Sequence, residues 1–147
     1  TANGKTIQRQ ELFDWSKEED EQIRYYSGTA VYKTTFRWKS KVKEDQQVYL
    51  NLGKVCDLAT VRVNGIDCGT IWTAPYRADI TAALKKGVNE LEIEVTNTWA
   101  NALKGADEGK APFDGIWTNA KYRRAENTLL PAGLLGPLNF DVANKNK

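Results

Sequence analysis

Residues 59–72 read Ala59-Thr60-Val61-Arg62-Val63-Asn64-Gly65-Ile66-Asp67-Cys68-Gly69-Thr70-Ile71-Trp72. Ala59, Val61 and Val63 alternate with Thr60 and Arg62, and successive side chains of a strand point to opposite faces, so the first half is a half-buried strand. It runs into Asn64-Gly65. Both residues accept positive φ, as a tight type I′ turn demands, so the chain is expected to double back there into a second strand over about Ile66 to Trp72.

The same period of two recurs on both sides of this hairpin. Upstream, Ala30, Tyr32, Thr34, Phe36 and Trp38 share one face of a run from Thr29 to Trp38, and Val48, Leu50 and Leu52 share a face of the next, which Gly53 closes. Downstream, Leu91, Ile93 and Val95 alternate with Glu90, Glu92 and Glu94, the pattern of a strand with one wet face. Leu138, Phe140 and Val142 restore the alternation near the C-terminus. Helix is scarce: Ser16-Lys17-Glu18-Glu19 matches a capping box for one or two turns, and Asp79-Ile80-Thr81 opens a short helical stretch to Lys86 that Gly87 stops. Asn97 to Pro131 shows no regular period, and irregular chain of that length in a compact domain is usually functional or packed as a lid. Many short alternating strands with little helix specify an all-β fold, a jelly-roll β-sandwich. Its core is expected to hold Tyr32, Phe36, Leu50, Val61, Val63, Leu91, Ile93 and Val95. Residues 1–24 read as a lead-in segment packed on the sandwich, 25–142 as the sandwich itself, and 143–147 as a frayed tail.

Composition narrows the function classes. The 147 residues carry 21 basic and 19 acidic side chains, net +2, with the two signs interspersed, so nucleic acid is a poor partner. No apolar run approaches the about 18–20 residues that would span a bilayer, and no membrane role is expected. The sequence has no histidine, which removes the usual metal ligand, the physiological-pH base and every Ser/His or Cys/His arrangement. A domain of this length buries roughly 68–70% of its unfolded surface and needs no staple. Cys56 and Cys68 are accordingly read as free, buried thiols in preference to a disulfide, since the Asn64-Gly65 turn sets Cys68 near Val61 and away from Cys56.

Tyr26-Ser27-Gly28-Thr29-Ala30-Val31-Tyr32-Lys33-Thr34-Thr35-Phe36 resembles the opening strands of the sugar-binding, galactose-binding-like jelly roll of family 2 glycoside hydrolases. Val61 to Gly65, Gly69 to Tyr76, Asp79-Ile80-Thr81 and Lys86 to Leu91 follow in the order and spacing of those domains. Thr96-Asn97-Thr98-Trp99-Ala100-Asn101 and Pro131-Ala132-Gly133-Leu134-Leu135-Gly136-Pro137 look like stretches of the C-terminal β-sandwich of family 106 glycoside hydrolases, the α-L-rhamnosidases. Ala102 and Lys104-Gly105-Ala106-Asp107 depart from that pattern, which favours an arginine and a tighter Gly-Asp turn. In both families the catalytic carboxylates lie on a separate barrel, so the resemblance implies an accessory module without catalytic residues. Its partners would be carbohydrate and the catalytic domain of a parent polypeptide. A bacterial parent active on polysaccharide would place it in the periplasm or outside the cell. The alternative is a structural domain that packs on the catalytic neighbour and binds no sugar.

Sugars present apolar C–H faces ringed by hydroxyls, so a site for them wants exposed aromatic platforms beside directed polar groups. Trp72, Tyr76, Trp99 and Trp117 supply such rings, and Arg77, Asn101, Asp114 and Asn119 supply such polar groups; Trp15 and Trp38 are expected to pack. Glycoside hydrolysis needs two carboxylates about 5–9.5 Å apart. Asp107, Glu108, Asp114 and Glu126 are the loop candidates and are read as solvated, as is the Glu90, Glu92, Glu94 row. No organic cofactor is expected. This fold class can accommodate a structural calcium, but Asp107-Glu108-Gly109 is too short to define its oxygen cage.

Overall fold

The computed structural model describes residues 4–110, 113, 115–119 and 128–145. Nine strands follow in chain order: β1 (Thr29–Trp38), β2 (Gln46–Asn51), β3 (Lys54–Cys56), β4 (Leu58–Val63), β5 (Ile66–Ile71), β6 (Arg77–Asp79), β7 (Gly87–Thr96), β8 (Gly133–Gly136) and β9 (Asn139–Asn144). Helices α1 (Glu21–Arg24) and α2 (Ala100–Asp107) and a 3-10 turn at Trp15–Lys17 complete the set. One sheet has the order β1-β7-β4-β5, the facing sheet β6-β2-β9, and β3 pairs with β8. All ladders between these strands are antiparallel. The fold is the all-β sandwich that the alternation implies.

The alternation of β7 is realised in full: Leu91, Ile93 and Val95 are buried between the sheets and Glu90, Glu92 and Glu94 lie on the outer face. Val61 and Val63 of β4 continue that inner surface, and Val48, Leu50, Leu52, Ala78, Ile80 and Leu134 meet it from the other side. The outer face is wired electrostatically, with Lys33 2.8 Å from Glu92 and Arg62 bridging Glu92 and Glu94 at 3.1 and 2.6 Å. The hairpin closes with Val63 opposite Ile66, and Asn64 and Gly65 take φ of 52° and 78°. Cys56 and Cys68 are both free, the first buried and the second half-buried.

The lead-in segment is fastened through Trp15, which is buried. Its indole Nε1–H donates to Tyr32 Oη at 2.7 Å, its backbone N–H donates to Ala132 O at 3.0 Å, and Asp14 Oδ1 accepts from Ala132 N at 3.0 Å. Trp38, half-buried, packs against the core at the C-terminal end of β1.

Four expectations need correction. Tyr32 and Phe36 are only half-buried, because β1 is an outer strand of its sheet, where Tyr32 is covered in part by the Trp15 ring and Phe36 in part by the Phe140 ring. The Ser16 box does not cap a helix; Asp14 caps the 3-10 turn and Asp20 caps α1, each through a carboxylate two residues ahead of the amide it accepts from. The stretch from Asp79 to Lys86 makes a single turn, with Ala83 and Leu84 N–H both donating to Ile80 O. Asn89 explains the stop: its buried carboxamide accepts from Lys85 N and donates to Lys85 O and Gly87 O, drawing the chain straight into β7. Finally, the segment from Asn97 to Pro131 is not wholly irregular, since it contains α2.

Two glycines separate backbone strain from packing strain. A side chain at Gly65 would meet open space at φ +78°, whereas at Gly133, φ +99°, it would run into the Trp15 indole. Gly65→Val is expected to cost about 1 kcal/mol, and Gly133→Ala about 3 kcal/mol because conformational strain and overpacking add. Urea unfolding of the two variants checks the order; a Gly133→Ala protein as stable as the parent would contradict the Trp15 anchor.

Candidate functional site

The register of the four-stranded sheet lines up one rim. Thr29 of β1 lies opposite Thr96 of β7, Thr96 lies opposite Leu58 of β4, and Ala59 lies opposite Ile71 of β5. The chain leaves β5 there into Trp72 and leaves β7 there toward Trp99. Because β5 and β7 flank β4, the two exits stand two strand spacings apart, about 10 Å. Trp72 and Trp99 are 68% and 69% exposed. An indole buries best in the core, so rings this open at a strand end are available to a ligand.

Asp57, at the turn into β4, ties the two exits together. Its carbonyl accepts from Tyr76 Oη at 3.2 Å, its Oδ2 accepts from Thr98 N at 3.2 Å, and its own N–H donates to Thr96 O at 3.0 Å. Tyr76 is thereby fixed half-buried beside the rim, and the residue before Trp99 is held down. On the adjoining sheet Arg77, paired with Asn51, lays its guanidinium 4.0 Å from the centre of the Tyr49 ring. That stacking holds an exposed cation in place next to Tyr76. Asn97 closes the other side, accepting from Gly28 N at 2.8 Å and donating to Tyr26 O at 2.8 Å.

Beyond Trp99 the chain becomes α2. Ala102 N donates to Ser27 Oγ at 3.0 Å, and Ala102 packs with Tyr25 and Phe113 in a small satellite core. Gly105 belongs to the same contact, because a Cβ there would lie 3.0 Å from the Phe113 ring and 3.1 Å from Tyr25. Lys104 is buried and pairs with Glu108, which also accepts from Tyr25 Oη at 2.5 Å. These bonds hold the Glu108 carboxyl below the usual carboxylate range, first through Lys104 and then through Tyr25, and the same contact raises the Tyr25 phenol.

Of the residues singled out in the sequence, Trp72, Tyr76 and Trp99 share the rim, with Arg77 alongside. Asn101 does not face outward: it is 2% exposed, its carboxamide donates to Leu130 O and accepts from Leu130 N, both at 2.8 Å, and the helical turn after Trp99 points it into the protein. Trp117, 81% exposed, follows Ile116, which packs on the satellite core. No described contact joins Trp117 to the rim. Asp114 and Glu126 lie outside the described residues. Asp107 is exposed, and Glu108 is committed to Lys104 and Tyr25. Among the described residues no group of three or more acidic or thiol side chains is placed to hold a metal ion. Asp57 was not anticipated: a lone aspartate before a strand carries no local pattern, and its role exists only because three strand ends meet there.

The model of the glycosyl hydrolase 2 galactose-binding domain-like family matches residues 7–128. This chain belongs to that family. A curated Formosa agariphila protein, provisionally named a beta-glucuronidase, is 40% identical over 157 aligned residues, which cover 90% of this chain and 13% of the relative. The structure of a rhamnosidase from Novosphingobium sp. PP1Y matches with a TM-score of 0.79 and 45% identity over 88% of this chain and 12% of that one. An FMN-binding beta-glucuronidase from Faecalibacterium prausnitzii shares the fold, with a TM-score of 0.57 and 23% identity over 95% of this chain and 19% of that one. The galactose-binding-like domain thus spans only a small fraction of the length of each relative.

Two outcomes test the site's framework. Glu108 has its proton affinity lowered by folding, so its contribution to stability is complete above the unfolded carboxylate value near 4.3 and is lost as pH falls through the lower folded value. The stability advantage of the parent over Glu108→Gln should therefore be present at neutral pH and shrink below about pH 4; a difference constant across that range would contradict the contact. Asp57→Ala should cost about 1 kcal/mol and speed hydrogen exchange of the Thr98 amide. An unchanged Thr98 rate would detach Asp57 from the rim.

Proposed function

We propose that the chain is a non-catalytic accessory module of a glycoside hydrolase, working in the periplasm or outside the cell, that contacts glycan at the Trp72, Tyr76 and Trp99 rim beside a catalytic domain. The observation that supports this most is the pair of open indoles at the ends of the two strands that flank β4, with Asp57 between them bonded to Tyr76 and to Thr98, the residue before Trp99. Stacking on Trp72 and Trp99 would cover the apolar sugar face, while Arg77 would donate to hydroxyls or to a uronate carboxylate. The names of the relatives, a rhamnosidase and beta-glucuronidases, make rhamnose- or glucuronate-bearing glycans the first ligands to try. In this reading catalysis belongs to other parts of the parent polypeptide. A second reading, a purely structural domain, draws support from a different surface: Phe140 and Val142 are 37% and 52% exposed on the flank away from the rim.

An open site buries little area and leaves most hydroxyls wet, so binding is expected near millimolar, about −4 kcal/mol. Titration with rhamnose, galactose, glucuronate and plant-type oligosaccharides, followed by tryptophan fluorescence, should saturate for at least one sugar and flatten in Trp72→Ala and Trp99→Ala. The chain should turn over none of the matching aryl glycosides. A flat titration for every sugar would leave the structural reading standing.

A further inference from the structure

β9 is the outer strand of its sheet, with β2 on its inner side, and all six of its residues are exposed. Lys145 N donates to Asp45 O at 2.7 Å in the ladder that sets Gln46 opposite Asn144. Hydrogen-bonded and non-hydrogen-bonded pairs alternate along an antiparallel ladder. Asn139, Asp141 and Ala143 therefore turn their backbone groups toward β2, and Phe140, Val142 and Asn144 turn theirs outward. The far side of β2 agrees in phase, since Val48 O accepts from Ile80 N and Leu52 N donates to Tyr76 O. Among the described residues no strand pairs with the outward row.

Exposed edges are normally blunted by lysine, proline or a bulge. β9 has no lysine, proline or bulge, since the strand reads Asn-Phe-Asp-Val-Ala-Asn and its register with β2 is unbroken; its one charge, Asp141, falls by alternation on the face away from Phe140 and Val142. The apolar side chains of the residues with outward backbone groups, Phe140 and Val142, are themselves open. Phe140 lies 4.8 Å from the Phe36 ring and 5.5 Å from the Trp38 ring, centre to centre, so an aromatic shelf from β1 overhangs the edge.

We propose that β9 receives an added strand from the parent polypeptide outside residues 1–147, an extended segment with apolar residues at alternate positions that cover Phe140 and Val142. The inference rests on the accessory-module reading. A row of alternate N–H and C=O groups beside an apolar shelf is met by extended backbone with side chains on one face. A sugar cannot match it. Pairing of β9 with a second copy would align one six-residue edge per chain, too short a contact for the roughly 1,200 Å² of a stable interface. The matched relatives have ample chain to supply the strand, since this sequence accounts for 13% and 12% of their lengths.

Amide hydrogen exchange on the full-length polypeptide and on the 147-residue chain tests it. The Phe140, Val142 and Asn144 amides should exchange at least about 100-fold slower in the full-length protein, while Asp141 and Ala143, bonded to β2, stay protected in both. Val142→Pro removes an amide that β2 does not use. In the full-length protein it should return Phe140 and Asn144 to fast exchange and leave Asp141 and Ala143 unchanged. Equal rates for the outward amides in the two proteins would overturn the proposal, as would protection that grows with the concentration of the 147-residue chain and marks pairing between copies. Failure of the accessory-module reading shows elsewhere, in the Trp72 and Trp99 response to sugar.

Discussion

The pairing of β7 on both edges is the constraint from which the rest follows. Leu91, Ile93 and Val95 can all be buried only if the strand keeps its inward phase, and a slip of one residue would turn Glu92 and Glu94 into the core. With that phase fixed, Thr96 stands opposite both Thr29 and Leu58. The same register that builds the core therefore decides where the chain leaves the sheet, and so where Trp72 and Trp99 emerge. The outer ion pairs of Lys33 and Arg62 with Glu92 and Glu94 lie at the solvated surface, half-buried at most, and add little energy. They do penalise the slipped register.

Around this ladder the molecule has two unlike ends. At one, backbone and side-chain hydrogen bonds from Asp57, Asn97 and Ser27 consolidate the exits from β5 and β7 into a shaped rim with open indoles. Along the opposite flank, β1 and β9 leave Phe36, Trp38, Phe140 and Val142 partly uncovered. The first surface is polar and aromatic, as weak sugar contacts are. The second is apolar, with strand groups that no described strand pairs, as protein contacts are.

The sandwich was legible because its information is local. Val61 to Ile66 specifies a strand, a turn and a return within a few residues, and Leu91 to Val95 declares its buried face by alternation alone. Helix α2 was not legible, because Ala100 to Asp107 includes Gly105 and a buried Lys104, and its stability comes from Tyr25 and Phe113, distant in sequence. The candidate rim was half legible. The sequence offers Trp72 and Trp99 as candidate rings and both are open, although the strand expected to reach Trp72 ends at Ile71; the inward turn of Asn101 depended on a helix that the pattern hides. Asp57 depended on three strand ends that only the folded chain brings together.

The five indole N–H signals in a ¹H–¹⁵N spectrum of the chain test the central claim most directly. On addition of a rhamnose- or glucuronate-bearing oligosaccharide, the account predicts that Trp72 and Trp99 shift together along one saturation curve, while Trp15, held by Tyr32, and Trp38 stay where they are. Shifts confined to Trp15 and Trp38, or Trp72 and Trp99 signals that remain still while an oligosaccharide binds, would contradict it.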